Sequence, residues 1–268
     1  MGGMTDAKTV IWSVKNGVGH LTLNRPEAAN AIDLPLARAY AAAVEQAVRA
    51  DIGAIVLSST GKQYCAGGDI NAFAASDGQL DGLIRELLDL LNPAVAQLAA
   101  LPLPIISAVH APVGGAGIAL ALCADIVLAA PPMKLRGGYS ALGLSPDIGA
   151  SYFLAHRAGP ARAKYILMSN HAIPAEECRR WGLVDEIHPP EALQSVATEL
   201  AAQLAAGATG ALGGIKRLCE DALNRDLRTH LEHERRALLH CARAADSREG
   251  IAAFRQKRPP RFRDPRID

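Results

Sequence analysis

Short apolar runs alternate with stretches of helical periodicity along the first half of the chain. Residues 54–58 and 105–109 are short, rich in β-branched side chains and bounded by turn residues, a pattern typical of strands buried in a parallel sheet. Residues 10–24 contain two such runs around Asn16-Gly17 and predict a β-hairpin. Apolar residues at helical spacing predict a helix over residues 34–49. This alternation predicts an α/β body.

Helical patterns dominate the second half. Ser145-Pro146-Asp147 predicts a helix start, with the serine as N-cap and the proline at the first helical position. Further helices are predicted over residues 161–169, 175–181, 190–206, 210–225 and 227–243, with a short strand over 183–188. Residues 243–268 are rich in Lys and Arg and are interpreted as a solvated tail. We therefore divide the chain into a core, residues 1–206, and a helical C-terminal region, residues 207–268.

Composition excludes several classes of function. Half of the 268 residues are hydrophobic and the formal net charge is +1, so nothing draws the whole chain to nucleic acid. The five cysteines form no C-x-x-C pair, which favours a reduced, cytoplasmic setting over a disulfide framework or a metal site. No apolar run is long enough to span a membrane, and the N-terminus is not a signal peptide. We expect no metal, nucleic-acid or membrane partner.

Two strand–glycine–helix turns carry the candidate chemistry. One lies at Gly67-Gly68 and the other at Gly114-Gly115-Ala116-Gly117. Such a turn directs free backbone N–H groups into a cleft, although glycines at these positions also let a helix pack closely on a strand. If Gly68 and Ala116 occupy matching points, their N–H groups can bind one oxygen, as enolate and acyl chemistry requires. Neither turn has the G-x-G-x-x-G spacing of dinucleotide sites.

Three segments of the chain form ordered motifs: LNRPEAANA at residues 23–31, YCAGGDI at 64–70 and VGGAG at 113–117. These motifs resemble those of the crotonase superfamily, which comprises the enoyl-CoA hydratases and isomerases. The resemblance continues through GLSPD at 143–147, RRWGLV at 179–184 and REGIAAF at 248–254. It implies a spiral of ββα turns, a C-terminal helical trimerisation region, and a homotrimer or hexamer. It also implies an acyl-CoA thioester as substrate, so that coenzyme A is part of the substrate rather than a separate cofactor.

The resemblance assigns roles to single residues. It implies that the thioester carbonyl lies between the N–H groups of Gly68 and Ala116. The remaining positions that it assigns to CoA or substrate binding are Arg25, Ala28, Ala66, Asp69, Ile70, Gly115, Tyr139 and Lys257. For Arg25, Ala66 and Lys257, ordinary turn or surface structure is the alternative. We expect an acyl pocket built from Phe73, residues 76–91, Tyr139 and the C-terminal helices.

The position of the acid or base separates the reactions within the family. Family hydratases use two glutamates, and their positions fall on Ala119 and Tyr139 here, so classical hydration is disfavoured. Asp147 matches the aspartate that family isomerases use as a base, including the ring-epoxide isomerases of the phenylacetyl-CoA pathway; in the aryl-CoA dehalogenases this position is a nucleophile. LGLSPDIGASYFL, residues 142–154, resembles the isomerase branch most. Alternatively, Asp147 only caps its own helix.

Three functional hypotheses follow. The first is an acyl-CoA isomerase that shifts a double bond through an enolate, with Asp147 as base, in fatty-acid or phenylacetate metabolism. The second is an enoyl-CoA hydratase with a non-standard acid or base. The third is a catalytically silent acyl-CoA binder. We expect burial to raise the pKa of Asp147 and the N-terminus of the predicted helix to lower it. Tyr139 either walls the pocket or donates a proton, and we expect His110 to form a loop-supporting hydrogen bond.

Overall fold

The computed structural model describes residues 8–262 and contains two β-sheets. Its strands are β1 (Val10–Lys15), β2 (Val18–Leu23), β3 (Ala54–Ser59), β4 (Ile105–Val109), β5 (Val113–Gly114), β6 (Ile126–Ala129), β7 (Lys134–Arg136), β8 (Ile173–Pro174) and β9 (Glu186–Ile187). The larger sheet has the order β1-β2-β3-β4-β6-β9, and the smaller has the order β5-β7-β8. The predicted hairpin β1–β2 is antiparallel, and every other pair in the larger sheet is parallel. The predicted α/β body is confirmed.

Helices cover both faces of the larger sheet and make up the C-terminal region. They are α1 (Leu34–Arg49), α2 (Ile70–Ala74), α3 (Leu80–Ala99), α4 (Gly117–Leu122), α5 (Ala150–Ala158), α6 (Pro160–Ser169), α7 (Ala175–Arg180), α8 (Pro190–Ala205), α9 (Thr209–Asp221), α10 (Leu227–Arg243) and α11 (Ala245–Gln256). None of the helices within residues 8–262 is both long and apolar enough to cross a bilayer.

The core has two layers because side chains alternate across the sheet. Ile55 and Ile105 face one side and join α1, α3 and α4 in the larger cluster of buried residues. Val56 and Ile106 face the other side and pack against Ala197 and its neighbours on α8. Successive residues of a strand are therefore buried on opposite faces of the sheet. Because both faces are covered, the sequence of such a parallel strand is a nearly continuous apolar run.

The prediction that a helix starts at Ser145 is wrong. Helix α5 begins at Ala150, and its N-cap is Gly149. Ile148 and Gly149 have φ values of +38° and +97°, so the chain makes a left-handed turn there and cannot continue as a right-handed helix. Ala150 N–H donates to the Asp147 carbonyl at 2.8 Å, which closes this turn. The Asp147 side chain therefore does not cap α5.

The tail predicted as a solvated charge run also contains a helix. Helix α11 occupies Ala245–Gln256, and the chain beyond it folds back, with Arg258 bonded to Glu249 at 2.6 and 2.9 Å. The charge excess is real, but Ala253 is buried, so one side of the helix packs. The predicted helical character of the C-terminal region is confirmed, and it extends through this segment.

Candidate active site

The two glycine turns lie side by side and run parallel. Cys65 and Val113 form a parallel bridge, in which Gly114 N–H donates to the Cys65 carbonyl at 2.9 Å. Gly68 and Ala116 each lie three residues beyond this bridge. The two residues therefore occupy matching points of neighbouring turns, as the sequence pattern required.

Glycine is needed for this close approach. Gly67 has a φ of +93°, and a Cβ there would lie 3.0 Å from the Gly114 carbonyl oxygen and 3.3 Å from the Ala116 nitrogen. A Cβ on Gly117 would lie 2.7 Å from the Cβ of Cys65. The packing and ligand-binding interpretations of the glycines are thus compatible, because close packing brings together the two turns that carry Gly68 and Ala116.

The N–H groups of Gly68 and Ala116 donate to no backbone or side-chain acceptor within residues 8–262. Their neighbours are used: Asp69 N–H donates to the Ile32 carbonyl, and Gly115 N–H donates to the carbonyls of Arg136 and Gly137. Gly68 and Ala116 both line one cavity of about 710 Å³. Unpaired backbone donors beside a cavity are rare in proteins and suit a ligand oxygen.

Asp147 lines the same cavity and is bonded to Tyr139. The Tyr139 hydroxyl donates to Oδ1 of Asp147 at 2.6 Å. Tyr139 is buried in a short 3₁₀ turn, Tyr139–Leu142. Sequence reasoning placed both residues at the site but missed their contact. The only available signal was the spacing of eight residues, which specifies no contact until the intervening turn is known.

The electrostatics of this pair follow from burial. Burial raises the pKa of Asp147, while the Tyr139 hydroxyl and the aspartate's own backbone N–H act in the opposite direction. Burial and the neighbouring Asp147 charge raise the pKa of Tyr139 well above its ordinary value, so the phenol stays protonated. The Asp147 side chain caps no helix, so no helix-capping hydrogen bond lowers its pKa. The result is a carboxylate more basic than an exposed aspartate.

The rest of the cavity wall is mostly apolar. Apolar side chains come from α2, α3 and the segment before α5: Phe73, Ile84, Leu87, Leu88, Leu91, Leu142, Leu144 and Ile148. Phe73, Tyr139 and part of the 76–91 segment therefore line it as expected. No residue between 173 and 262 lines this cavity in the single chain. A contribution from residues 207–268 stays a prediction about the assembled protein.

Two cations on β7 were missed by sequence reasoning. Lys134 and Arg136 are exposed, line the cavity, and lie on the same face of β7 because the intervening Leu135 is buried. Strand β7 pairs with β5, with Gly114 opposite Arg136. The Lys-x-Arg alternation was the available signal, but the glycine-rich stretch around it concealed the strand.

The residues assigned to CoA binding divide into two groups. Ala66, Ile70, Gly115 and Tyr139 line the cavity together with Gly68, Ala116 and Asp147. Four others do not line it: Arg25, Ala28, Asp69 and Lys257. Ala28 ends a one-turn 3₁₀ helix, Pro26–Ala28, and Lys257 is the exposed C-cap residue directly after α11.

Arg25 and Asp69 form an ion-paired cluster behind the first glycine turn. Arg25 pairs with Asp69 at 2.7 Å and with Asp33 at 3.0 Å, and it also donates to the Ala31 carbonyl. Asp69 caps α2 by accepting the N–H groups of Asn71 and Ala72. The hydrogen bond from Arg25 holds the pKa of Asp69 below its ordinary value. In the single chain these two side chains support the turn that presents Gly68.

His110 has the supporting role expected of it. Its Nε2 lies 2.8 Å from the Gly61 carbonyl, which can only accept, so this nitrogen donates. The bond ties the loop before the second glycine turn to the loop before the first. Within residues 8–262, no group of three or more His, Cys, Asp or Glu side chains could hold a metal ion.

Comparison with known proteins gives one consistent result. The family model described as enoyl-CoA hydratase/isomerase matches residues 13–265. The chain is 37% identical to the 1,2-epoxyphenylacetyl-CoA isomerase of Escherichia coli K12, over 94% of this chain and 97% of that protein. It is 31% identical to the 2,3-dehydroadipyl-CoA hydratase of the same organism, over 91% and 94%.

Solved structures agree. An enoyl-CoA hydratase from Polaromonas sp. JS666 superposes with a TM-score of 0.89 at 32% identity, over 95% of this chain and 99% of that chain. The relatives thus include both isomerases and hydratases, so similarity alone does not identify the reaction. The chain belongs to the enoyl-CoA hydratase/isomerase family, within the crotonase superfamily.

Proposed function

We propose that this protein is an acyl-CoA isomerase that shifts a double bond through a thioester enolate, with Asp147 as the base. One observation carries the proposal: Asp147 is the only carboxylate among the described residues that line the cavity. Hydration in this family uses a pair of carboxylates to activate one water. Moving a proton between two carbons of the same substrate needs one base that takes the proton and returns it.

The reaction assigns a task to each group at the site. The thioester oxygen accepts hydrogen bonds from the N–H groups of Gly68 and Ala116, which stabilise negative charge as it develops there. Asp147 removes a proton from the carbon next to the carbonyl, and the electron pair of that C–H bond enters the enolate. The protonated Asp147 then donates to the γ carbon as the double bond moves into conjugation. Burial makes Asp147 a stronger base, which favours the first transfer.

The cavity wall indicates the substrate class. Its apolar lining suits a hydrocarbon or aromatic acyl group, and Lys134 and Arg136 supply positive charge for the phosphates of CoA. The 37% identity to a 1,2-epoxyphenylacetyl-CoA isomerase makes a ring epoxide of phenylacetyl-CoA the second substrate to test. The roles of Arg25, Ala28, Asp69 and Lys257 at the CoA entrance belong to this proposal. All five cysteines are free thiols, which supports a cytoplasmic location.

Assays of the purified protein separate the three hypotheses. The substrates are a series of 3-enoyl-CoA thioesters of increasing chain length, 1,2-epoxyphenylacetyl-CoA, and crotonyl-CoA. The proposal predicts a rise in conjugated enoyl-thioester absorbance with the 3-enoyl substrates or conversion of the epoxide, and no loss of conjugation with crotonyl-CoA. Hydration of crotonyl-CoA as the main activity would contradict it and favour the hydratase. Saturable binding without conversion of any substrate would favour the silent binder.

A further inference from the structure

The hydrogen bond between Tyr139 and Asp147 makes the two carboxylate oxygens unequal. Oδ1 accepts the Tyr139 hydroxyl at 2.6 Å. Oδ2 receives no side-chain hydrogen bond from any residue in the described part of the chain. Both residues line the cavity that Gly68 and Ala116, whose N–H groups are unpaired within residues 8–262, also line. One oxygen of the base is therefore held by the protein, and the other is available to a substrate.

The direction of this hydrogen bond is fixed. Tyr139 is 7% exposed, and a phenolate beside a carboxylate in this setting would place two negative charges within hydrogen-bonding distance. Burial and the Asp147 charge accordingly raise the pKa of Tyr139. The phenol remains the donor and the carboxylate the acceptor, so Tyr139 does not act as a base.

We propose that Tyr139 is a positioning residue that makes Asp147 a one-sided base. With Oδ1 held by the phenol, Oδ2 takes the substrate proton and returns it. This inference rests on the proposed isomerase function. In the first step the C–H bond next to the carbonyl breaks and an Oδ2–H bond forms. In the second step the Oδ2–H bond breaks and a C–H bond forms at the γ carbon. Tyr139 keeps its own proton throughout.

Removing the Tyr139 hydroxyl should have two effects that distinguish a residue that positions Asp147 from one that only lines the cavity. Loss of the phenol O–H removes a hydrogen bond that favours the charged carboxylate, so the acid limb of the rate profile moves to higher pH. It also frees Oδ1, so that the abstracted proton can lie on either oxygen and exchange more readily with solvent. A wall residue would change substrate binding and leave both properties alone.

Other charged and titratable groups near Asp147 do not provide this bond. Cys65 lies close enough to feel the Asp147 charge, but burial raises its pKa to about 12, and its thiol donates to the Asn30 carbonyl. Lys134 and Arg136 line the same cavity, and the described structure places neither in an ion pair with Asp147. Tyr139 is therefore the group whose removal should change the titration of Asp147.

The test compares Tyr139→Phe with the wild-type protein on the best 3-enoyl-CoA substrate. We expect kcat to fall about ten- to a hundredfold, the loss typical of a hydrogen bond to a charged group, with KM little changed. The acid limb of kcat should move to higher pH. In D₂O the product should carry more deuterium than the wild-type product. Tyr152→Phe is the matched control, since Tyr152 is an exposed tyrosine on α5 outside this cavity.

The outcomes distinguish this inference from the proposed function. If Asp147→Asn isomerises the substrate at the wild-type rate, the proposed function fails and this inference fails with it. If Asp147→Asn is inactive while Tyr139→Phe keeps the wild-type rate, acid limb and deuterium content, the inference alone is overturned. If Tyr139→Phe does not fold, the test is the deuterium content of the product that wild-type protein forms in D₂O. Product that is mostly free of deuterium supports a proton held on Oδ2 and protected from solvent exchange. Fully deuterated product overturns the inference.

Discussion

At the scale of single residues, the site depends on how Asp147 is placed. It is partly buried, bonded on one side to Tyr139, and excluded from capping α5 by the left-handed turn at Ile148 and Gly149. Burial therefore raises its pKa, and no helix-capping hydrogen bond lowers it. Burying a carboxylate in this way costs folding free energy and makes the carboxylate a stronger base.

The raised pKa of Asp147 makes a prediction about stability. A folded-state pKa above the unfolded value means that the folded protein binds this proton more tightly. The unfolding free energy therefore declines as pH rises from the unfolded toward the folded pKa of Asp147. Asp147→Asn removes this dependence. We expect the variant to have a higher Tm than wild type at neutral pH and an unchanged Tm below the unfolded pKa, measured by calorimetry. A lower Tm at neutral pH would contradict this.

At the scale of elements, the site is the junction of two strand–turn–helix units. The turns are joined by the Cys65–Val113 bridge and by glycines that permit backbone contact. Behind them, Asp69 combines a helix cap with an ion pair to Arg25. The element that presents Gly68 is therefore held by hydrogen bonds on one side and by close packing on the other.

Gly67→Ala should separate the two turns. The added methyl would lie 3.0 Å from the Gly114 carbonyl oxygen at a φ of +93°. This separation should move the Ala116 N–H group away from the thioester oxygen. We therefore expect kcat to fall by about two to three orders of magnitude, as when one oxyanion donor is lost. Gly78→Ala is the matched control, because Gly78 also has a positive φ but open space around it. Equal kcat in the two variants would count against the paired-donor geometry.

Asp69→Ala should destabilise the protein in a pH-dependent way. The loss of the cap alone lowers the unfolding free energy by roughly 0.5–2 kcal/mol. Because the folded pKa of Asp69 is lowered, its contribution is complete above the unfolded pKa and disappears as pH falls through the folded value. Denaturant titrations at neutral and acid pH measure the difference from wild type. A difference that is the same at both pH values would show that Asp69 does not act through its charge.

Elements with a strong periodic pattern were predictable from sequence. Helix α1 and strand β4 have the predicted limits, because the apolar positions of α1 follow the helical period of 3.6 and β4 is a short continuous apolar run bounded by turn residues. The start of α5 was not predictable from sequence. The left-handed conformations of Ile148 and Gly149 override the serine–proline signal, and no sequence pattern indicates a left-handed isoleucine. The Tyr139–Asp147 bond was also beyond reach, since it depends on that turn.

At the scale of the whole molecule, the C-terminal helices carry an unusual amount of exposed apolar surface. The large apolar side chains of this region include Leu223, Leu227 and Leu238, each 72% exposed, and Phe254, 86% exposed. Monomeric proteins rarely leave such a set open to solvent. We predict that further copies of this chain cover this surface, as the resemblance to the crotonase superfamily implies.

The oligomer prediction can be checked by light scattering after size exclusion. We expect a mass three or six times that of one chain, and a smaller mass for Leu238→Glu because a charge would enter the interface. Val48→Glu, which changes an exposed apolar residue on α1, is the control and should keep the wild-type mass. A monomeric wild-type protein would contradict the prediction and leave the exposed surface for another partner.

The most direct measurement follows turnover and thioester binding together in Asp147→Asn. The substitution removes the proposed base but keeps the shape of the side chain, and asparagine can still accept the Tyr139 hydroxyl. We expect isomerisation to fall by about two to four orders of magnitude, while a saturated acyl-CoA binds with wild-type affinity. Turnover at the wild-type rate in this variant would contradict the assignment of Asp147 as the base.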